Sequence, residues 1–167
     1  MVRSTHSSTG SSLTIKLIVA ALWFAWMIPA GMQFVAHKDY LEPVVLGPGV
    51  TEVKKLSDWA PYLKGSVNDC NIYVLDSGVP GGTMLVLGGT HPEEPAGVMS
   101  AVTIIENTVP TAGRILVATR ANRSASTVTR PGDAYPQFFH IPTAFGQRKF
   151  RNGDRWCNPL HSWPDPE

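Results

Sequence analysis

A histidine and a glutamate stand three residues apart in a loop whose residue types suit a metal site. His91 and Glu94 belong to the stretch Gly88-Gly-Thr-His-Pro-Glu-Glu-Pro-Ala-Gly97. A neutral imidazole and a carboxylate are both ligands that zinc accepts, at about 2.0–2.2 Å each. The two glycines allow a sharp turn and leave room for a metal ion and a substrate, and the prolines stiffen the loop. The spacing therefore predicts a zinc site with His91 and Glu94 as ligands.

The same spacing has a second interpretation. A solvated loop histidine beside a glutamate that caps a helix gives this pattern too, and a His and a Glu three apart often occur by chance. Glu93 and Glu94 next to a helix N-terminus would also interact favourably with the helix dipole. Spacing alone leaves both interpretations open.

Apolar runs on both sides of the loop predict the elements that position it. Strands are predicted over 71–75, 83–87 and 114–118, and a helix over 96–106 with Pro95 in its first turn. The order strand–loop–helix–loop–strand predicts a βαβ unit with a right-handed crossover, whose two parallel strands are covered by helices on both faces. In open α/β sheets, ligands bind outside the carboxyl ends of the strands. Residues 88–97 lie at that position.

The segments outside this unit carry weaker signals. Residues 43–50 predict a short strand leading into a turn, and Ser57 is a candidate cap for a short amphipathic helix that Pro61 limits. Residues 129–167 contain six prolines and little periodicity, which is typical of surface loops. Because two or three parallel strands are too few to close a core, we expect residues 37–167 to be the N-terminal part of a longer domain.

An apolar run near the N-terminus predicts a membrane segment. Residues 17–36 hold no charge, and Arg3 and Lys16 precede them in an acid-free leader, residues 1–16. Twenty residues can span a bilayer core as a helix, so the run predicts a signal peptide or a retained anchor, with a buried core helix as the alternative. Ile28 fits poorly with cleavage after Ala30, which favours the anchor. The basic leader places the N-terminus inside and the rest outside the cytoplasm.

Composition excludes several classes and leaves the partner open. The chain has 167 residues, a formal net charge of +1 and only two cysteines, which excludes collagen-like, coiled-coil, highly charged disordered and disulfide-rich proteins.

Residues 114–155 carry 8 basic and 2 acidic groups. Such a stretch can face a small anion, a lipid headgroup or nucleic acid, or can be a solvated surface. With a membrane segment present, we expect no nucleic-acid partner. Outside the cytoplasm, Cys70 and Cys157 either pair or stay as two separate thiols.

Three stretches of the chain resemble a known enzyme family. The sequence VLGGTHPEEPAG resembles the first zinc-ligand motif of the succinylglutamate desuccinylase/aspartoacylase family, which belongs to the wider zinc carboxypeptidase-like class. Members typically read Gly-Thr-His-Gly-x-Glu-x-x-Gly there, whereas this chain has Pro92 in place of the second Gly. The resemblance continues through RILVATRANRSA at 114–125 and FRNGDRWCNPLHSWPDPE at 150–167, and is poorest over 126–148.

The resemblance implies a fold, an activity and a cofactor. The implied fold is α/β, a mostly parallel sheet with flanking helices, incomplete here. The apolar run 17–36 adds one transmembrane or signal helix before it. The activity is that of a zinc-dependent hydrolase, a deacylase that cleaves an amide or ester bond of a small or peptide-like anionic substrate by metal-activated water. His91 and Glu94 would be the first two zinc ligands. Three further parts of the family's site are expected beyond Glu167. They are a third zinc ligand, which is a histidine, a catalytic glutamate that acts as general base, and an Asn-Arg pair that binds the substrate carboxylate.

Some residues within the chain have the right types for these roles. Asn122 and Arg123 match the carboxylate-gripping pair in type and follow a predicted strand, and Arg120, Arg123 and Arg130 can bind an anionic substrate. His140 and His161 are possible third ligands by type, with loop histidines as the alternative. Without a third ligand and a general base the chain would be inactive as an enzyme. A non-catalytic binding module of the same fold, anchored at the membrane, is therefore the alternative function.

Overall fold

One long apolar helix precedes a separate α/β unit. The structure, a computed structural model, describes residues 9–38, 40–128, 137–144 and 146–161, and these form two units that divide after His37. Helix α1, Thr9–Lys38, continues through Pro29. Its span Ser12–His37 has a mean hydropathy of 1.8 and is not buried, so the buried core helix is wrong. The span is long and apolar enough to be a membrane anchor or a signal sequence.

The second unit contains a mixed four-stranded sheet. Its strands are β1 Val50–Lys55, β2 Asn71–Asp76, β3 Thr83–Leu87 and β4 Arg114–Ala118, in the order β1-β2-β4-β3. Helix α2, Pro95–Asn107, connects β3 to β4, which are parallel, and this confirms the βαβ arrangement. The pairs β1–β2 and β2–β4 are antiparallel. Only one of the three strand pairs is parallel, so the sheet is mixed rather than mostly parallel over the described residues, because β2 runs opposite to both of its neighbours.

The main core lies between the sheet and α2. Alternate residues of β2 and β4 point to that face, where they pack against one stripe of the helix; the buried members are Tyr73, Leu75, Ala101, Ile105 and Val117. The buried residues of α2 are Val98, Ala101, Val102 and Ile105, which lie on one face of the helix. On the other face Leu56 packs near Ile72, but Leu85 and Leu87 of the edge strand are exposed. Within the described ranges, helices therefore do not cover both faces as expected.

Two predictions before β2 are wrong. Residues 43–49 form no strand but cross the C-terminal end of α2, where a Cβ on Gly47 would lie 2.3 Å from the Glu106 carbonyl oxygen. The strand begins at Val50 instead. In place of a helix capped by Ser57, the chain forms two short 3-10 turns, Leu56–Asp58 and Pro61–Leu63. Ser57 donates its backbone N–H and its hydroxyl to the Asp69 carboxylate.

The C-terminal region contains more regular structure than its sequence suggested. A four-residue helix, α3 Arg123–Ser126, follows β4. Strands β5 Phe138–Thr143 and β6 Gly146–Arg151 then form an antiparallel pair. Phe150 of β6 packs on Val98 and Val102 of α2 in a second small core. The expectation that this region is surface loop alone is therefore wrong.

Candidate metal centre

The loop after β3 lies at the carboxyl ends of the two parallel strands, as predicted. Leu87 pairs with Ala118 at the last register position. Beyond it, the Gly88 N–H donates to the Ala118 carbonyl at 2.8 Å, and the Ala121 N–H donates to the Gly88 carbonyl at 2.8 Å. These bonds fasten the loop after β3 to the segment after β4. The candidate ligands are therefore held by the sheet rather than by a free loop.

Both glycines at the start of the loop are required by close approach of the backbone. A Cβ on Gly88 would lie 2.6 Å from the Ala101 Cβ and 2.8 Å from the Gly97 carbonyl oxygen. Gly89 has a φ of +61°, and a Cβ there would lie 2.9 Å from the Thr119 carbonyl oxygen. A side chain at either position would push the loop away from α2 and β4. The glycines thus set the path that carries the chain to His91.

His91 and Glu94 are brought together at a distance that suits a shared metal ion. The Glu94 N–H donates to the His91 carbonyl at 2.9 Å, which closes a turn and places both side chains on one side. His91 Nδ1 lies 3.4 Å from Glu94 Oε1, with both side chains partly exposed. Two ligands that are each about 2.1 Å from a tetrahedral zinc ion lie about 3.4 Å apart. The pair therefore fits two of the ligand positions of one zinc ion.

The capping interpretation of Glu94 does not describe its side chain. Glu94 occupies the N-cap position of α2 and Pro95 follows as the first helical residue, but the Glu94 carboxylate makes no cap hydrogen bond. It points instead to His91 and to Arg155. A metal-ligand role is therefore compatible with the local structure, since the helix N-terminus does not use this carboxylate.

The two other candidate histidines lie elsewhere. His161 Nδ1 is 3.3 Å from the Ser124 hydroxyl and 3.4 Å from the Thr127 hydroxyl, and His140 lies exposed on β5 near Phe138. Across the part of the chain that the structure describes, no three His, Cys, Asp or Glu side chains are close enough to hold a metal. The structure thus brings together two candidate ligands, His91 and Glu94, and adds neither histidine to them.

Arg120 is placed inside the protein. Its side chain is 3% exposed and forms an ion pair with Glu42, whose side chain is 4% exposed. It also donates to the Ser126 hydroxyl at 3.1 Å and to the Arg151 carbonyl at 2.6 Å. Burial and the charge of Arg151 lower the pKa of Arg120 to about 10, so it remains charged at neutral pH. Arg120 also lines a cavity of about 250 Å³, but Glu42 neutralises its charge and its N–H groups already have acceptors. We therefore do not retain Arg120 as a substrate-binding residue.

Asn122 and Arg123 follow β4, but their side chains have different surroundings. The Asn122 Oδ1 accepts from the Ala125 N–H at 3.1 Å, so this side chain caps α3. Arg123 is partly exposed and lines a cavity of about 250 Å³ together with Lys55 and Cys70. Of the pair, only Arg123 is placed to meet an anion. Arg130 lies outside the described residues.

The cap provides a test of the role of Asn122. We expect Asn122→Ala to lower the free energy of unfolding by about 1 kcal/mol, because the Ala125 N–H loses its acceptor. Asn122→Asp keeps an acceptor and should stay within about 0.5 kcal/mol of the wild type. Amide exchange of the β4 residues measures both variants. Equal stability of all three proteins would contradict the capping role.

The two cysteines are free and differ in exposure. Cys70 is buried and Cys157 is exposed, so the possible disulfide is absent from the structure. Desolvation raises the pKa of the Cys70 thiol. The Cys157 thiol donates to Asn122 Oδ1 at 3.5 Å. Neither thiol adjoins His91 and Glu94 as a further metal ligand.

A residue that the sequence reasoning missed completes the surroundings of the pair. Arg155 donates from Nε to Glu93 Oε1 and from Nη2 to Glu94 Oε1, both at 2.9 Å. It lies 61 residues from Glu94 in the chain, so no local spacing could connect them. The candidate site is therefore His91 and Glu94, with Glu93 and Arg155 beside them.

The chain matches no protein-family model, and no curated protein or solved structure gives a significant match.

Proposed function

We propose that this chain is part of a zinc-dependent hydrolase that cleaves an amide or ester bond of a small carboxylate-bearing substrate. The observation that carries the proposal is the 3.4 Å separation of His91 Nδ1 and Glu94 Oε1 at the carboxyl ends of β3 and β4, where α/β sheets bind ligands. The resemblance of residues 86–97 to a zinc-ligand motif supports the same assignment.

In this proposal each described residue has a limited role. His91 and Glu94 hold two positions of the metal, and the two glycines that precede them keep the loop against the sheet. Zinc held there would supply Lewis acidity to a water molecule and to the substrate carbonyl. Arg123, on the segment after the adjacent strand, is the described candidate for binding an anionic group of the substrate. The third ligand and the general base are not assigned to any described residue.

A membrane-anchored binding module without catalysis is the second candidate function. The pairing of Glu93 and Glu94 with Arg155 favours it, because a carboxylate oxygen that accepts from a guanidinium is a weaker metal ligand than a free one. In this alternative the same loop would recognise a small anionic or peptide-like molecule without cleaving it.

One experiment tests the proposal and separates the two candidates. The full chain is purified in detergent and loaded with zinc. The zinc bound per chain is measured by elemental mass spectrometry. Release of amines from a panel of N-acyl amino acids is measured in parallel. About one zinc per chain, lost in His91→Ala, supports the metal site, and amine release supports the hydrolase. Binding of these N-acyl amino acids by the zinc-free chain, measured by calorimetry, favours the binding module. Zinc content equal to that of His91→Ala overturns the proposal.

We further propose that α1 anchors the protein to a membrane, with the α/β unit outside the cytoplasm. Lys16 is the only Lys, Arg, Asp or Glu between Ser12 and His37, and the basic leader favours an inside N-terminus. We expect the full chain to stay in the membrane pellet after alkaline carbonate extraction. Leu22→Arg adds a charge that costs about 2.5–3.5 kcal/mol at a helix centre and should release a large fraction. Complete extraction of the wild-type chain, with Met1 intact, would contradict the anchor.

A further inference from the structure

Arg155 holds the same glutamate oxygen that the proposed metal ion would use. Its Nη2 lies 2.9 Å from Glu94 Oε1, and that oxygen is the atom 3.4 Å from His91 Nδ1. Its Nε lies 2.9 Å from Glu93 Oε1. The guanidinium therefore bridges two adjacent carboxylates, one of which is a proposed ligand.

The backbone beneath Arg155 is fixed although its side chain is about half exposed. The Arg155 N–H donates to Asp154 Oδ1 at 2.6 Å, and the Asp154 N–H donates to the Ala125 carbonyl at 3.1 Å. A Cβ on Gly153 would lie 2.6 Å from that carbonyl oxygen and 2.7 Å from the Pro92 Cβ. The segment is thus packed against both α3 and the ligand loop. The guanidinium can leave Glu94 by side-chain rotation, without moving the backbone.

We propose that Arg155 is a built-in competitor of the metal ion, which lowers the affinity of the His91–Glu94 pair for zinc. The inference rests on the proposed function. A divalent cation beside Glu94 Oε1 attracts the same electron pairs as the guanidinium and repels its positive charge. Binding of the metal therefore breaks the bond from Arg155 to Glu94. Glu93, which already accepts from Nε, retains the displaced guanidinium.

Substitution of Arg155 gives the direct test. The zinc affinity of the full chain in detergent is measured by competition with a chromophoric chelator at fixed ionic strength. We expect Arg155→Ala to bind zinc about three- to tenfold more tightly, a range set by the strength of an exposed ion pair and by the removed repulsion. Arg155→Lys should fall between the two, because an ammonium is a point charge that cannot bridge both carboxylates as a fork.

Arg114→Ala is the matched control. Arg114 is exposed and lies at the amino end of β4, the opposite end of the sheet, where its Nε donates to Thr83 Oγ1. Its removal changes the net charge equally and should leave the zinc affinity unchanged. If Arg114→Ala raised the zinc affinity as much as Arg155→Ala does, the change in net charge alone would explain the effect, and the inference would be overturned.

A second readout follows the guanidinium itself. The Nε–H resonance of Arg155, assigned by its loss in Arg155→Lys, should shift when zinc is added to the wild type and stay in place in His91→Ala. Unchanged or weaker zinc affinity in Arg155→Ala, with His91-dependent binding intact, overturns this inference and leaves the proposed function standing. The absence of His91-dependent binding in every variant overturns both.

Discussion

Replacing His91 with alanine should lower the zinc affinity of the chain by at least about 100-fold. Loss of a residue that merely orients a ligand typically costs 10–100-fold, and His91 is proposed to bind the metal itself. The remaining proposed ligand, Glu94, is partly exposed and paired with Arg155, so it retains a metal ion poorly on its own. Competition with a chromophoric chelator measures the loss.

Two further variants make this result specific. Glu94→Gln keeps the shape of the side chain but removes the charge, and should also lose most of the affinity. His140→Ala removes an exposed histidine of β5 and should bind zinc as the wild type does. Comparable losses in His140→Ala and His91→Ala would mean that zinc binds exposed histidines without a defined site.

The elements around the site were predictable because their signals are local. Strand β3 begins and ends at the predicted residues, and α2 extends the predicted helix by one residue at each end. Strand β3 is predicted by a short apolar run that ends at glycines, and α2 is predicted by apolar residues at helical spacing. His91 and Glu94 belong to the same class of signal, since one turn of the chain joins them.

The errors arise where an element depends on a distant partner. The apolar residues 43–50 favoured a strand, but Gly47 packs on the end of α2. Strand β1 carries Glu52, Lys54 and Lys55 and forms only by pairing with β2 at the edge of the sheet. Strands β5 and β6 likewise pair with each other, in a region rich in proline. The burial, pairing and direction of these segments depend on the folded chain. A short-range sequence pattern carries no information about them.

Arginines were the least predictable part of the site. Arg120 and Arg123 are three residues apart and were equal candidates for binding an anion. Both line the same cavity, yet Arg120 is buried in an ion pair with Glu42 whereas Arg123 is partly exposed. Arg155 lies next to the proposed ligands without any sequence signal. The role of an arginine is set by whether a carboxylate meets it in the fold. For Arg120 that carboxylate is Glu42, 78 residues away.

Glu42→Ala should lower the free energy of unfolding of the α/β unit by about 3–5 kcal/mol, the usual effect of leaving one partner of a buried ion pair alone. Glu42 Oε2 accepts from Arg120 Nε at 3.3 Å, and Oε1 accepts from the Arg151 N–H at 3.0 Å. The carboxylate thus joins the segment after β4 to the end of β6. Amide exchange at Leu75, the fully buried centre of the core, reports the loss in detergent.

The size of this effect depends on burial, and an exposed pair provides the comparison. Glu52 is paired with Lys54, and its side chain is 54% exposed. Glu52→Ala should therefore change stability by less than about 1 kcal/mol. If Glu42→Ala were equally mild, solvent would have to reach Arg120, and the segment containing Glu42 would not close over it. Arg120 would then be accessible to an anion after all, and its exclusion from the substrate site would have to be withdrawn.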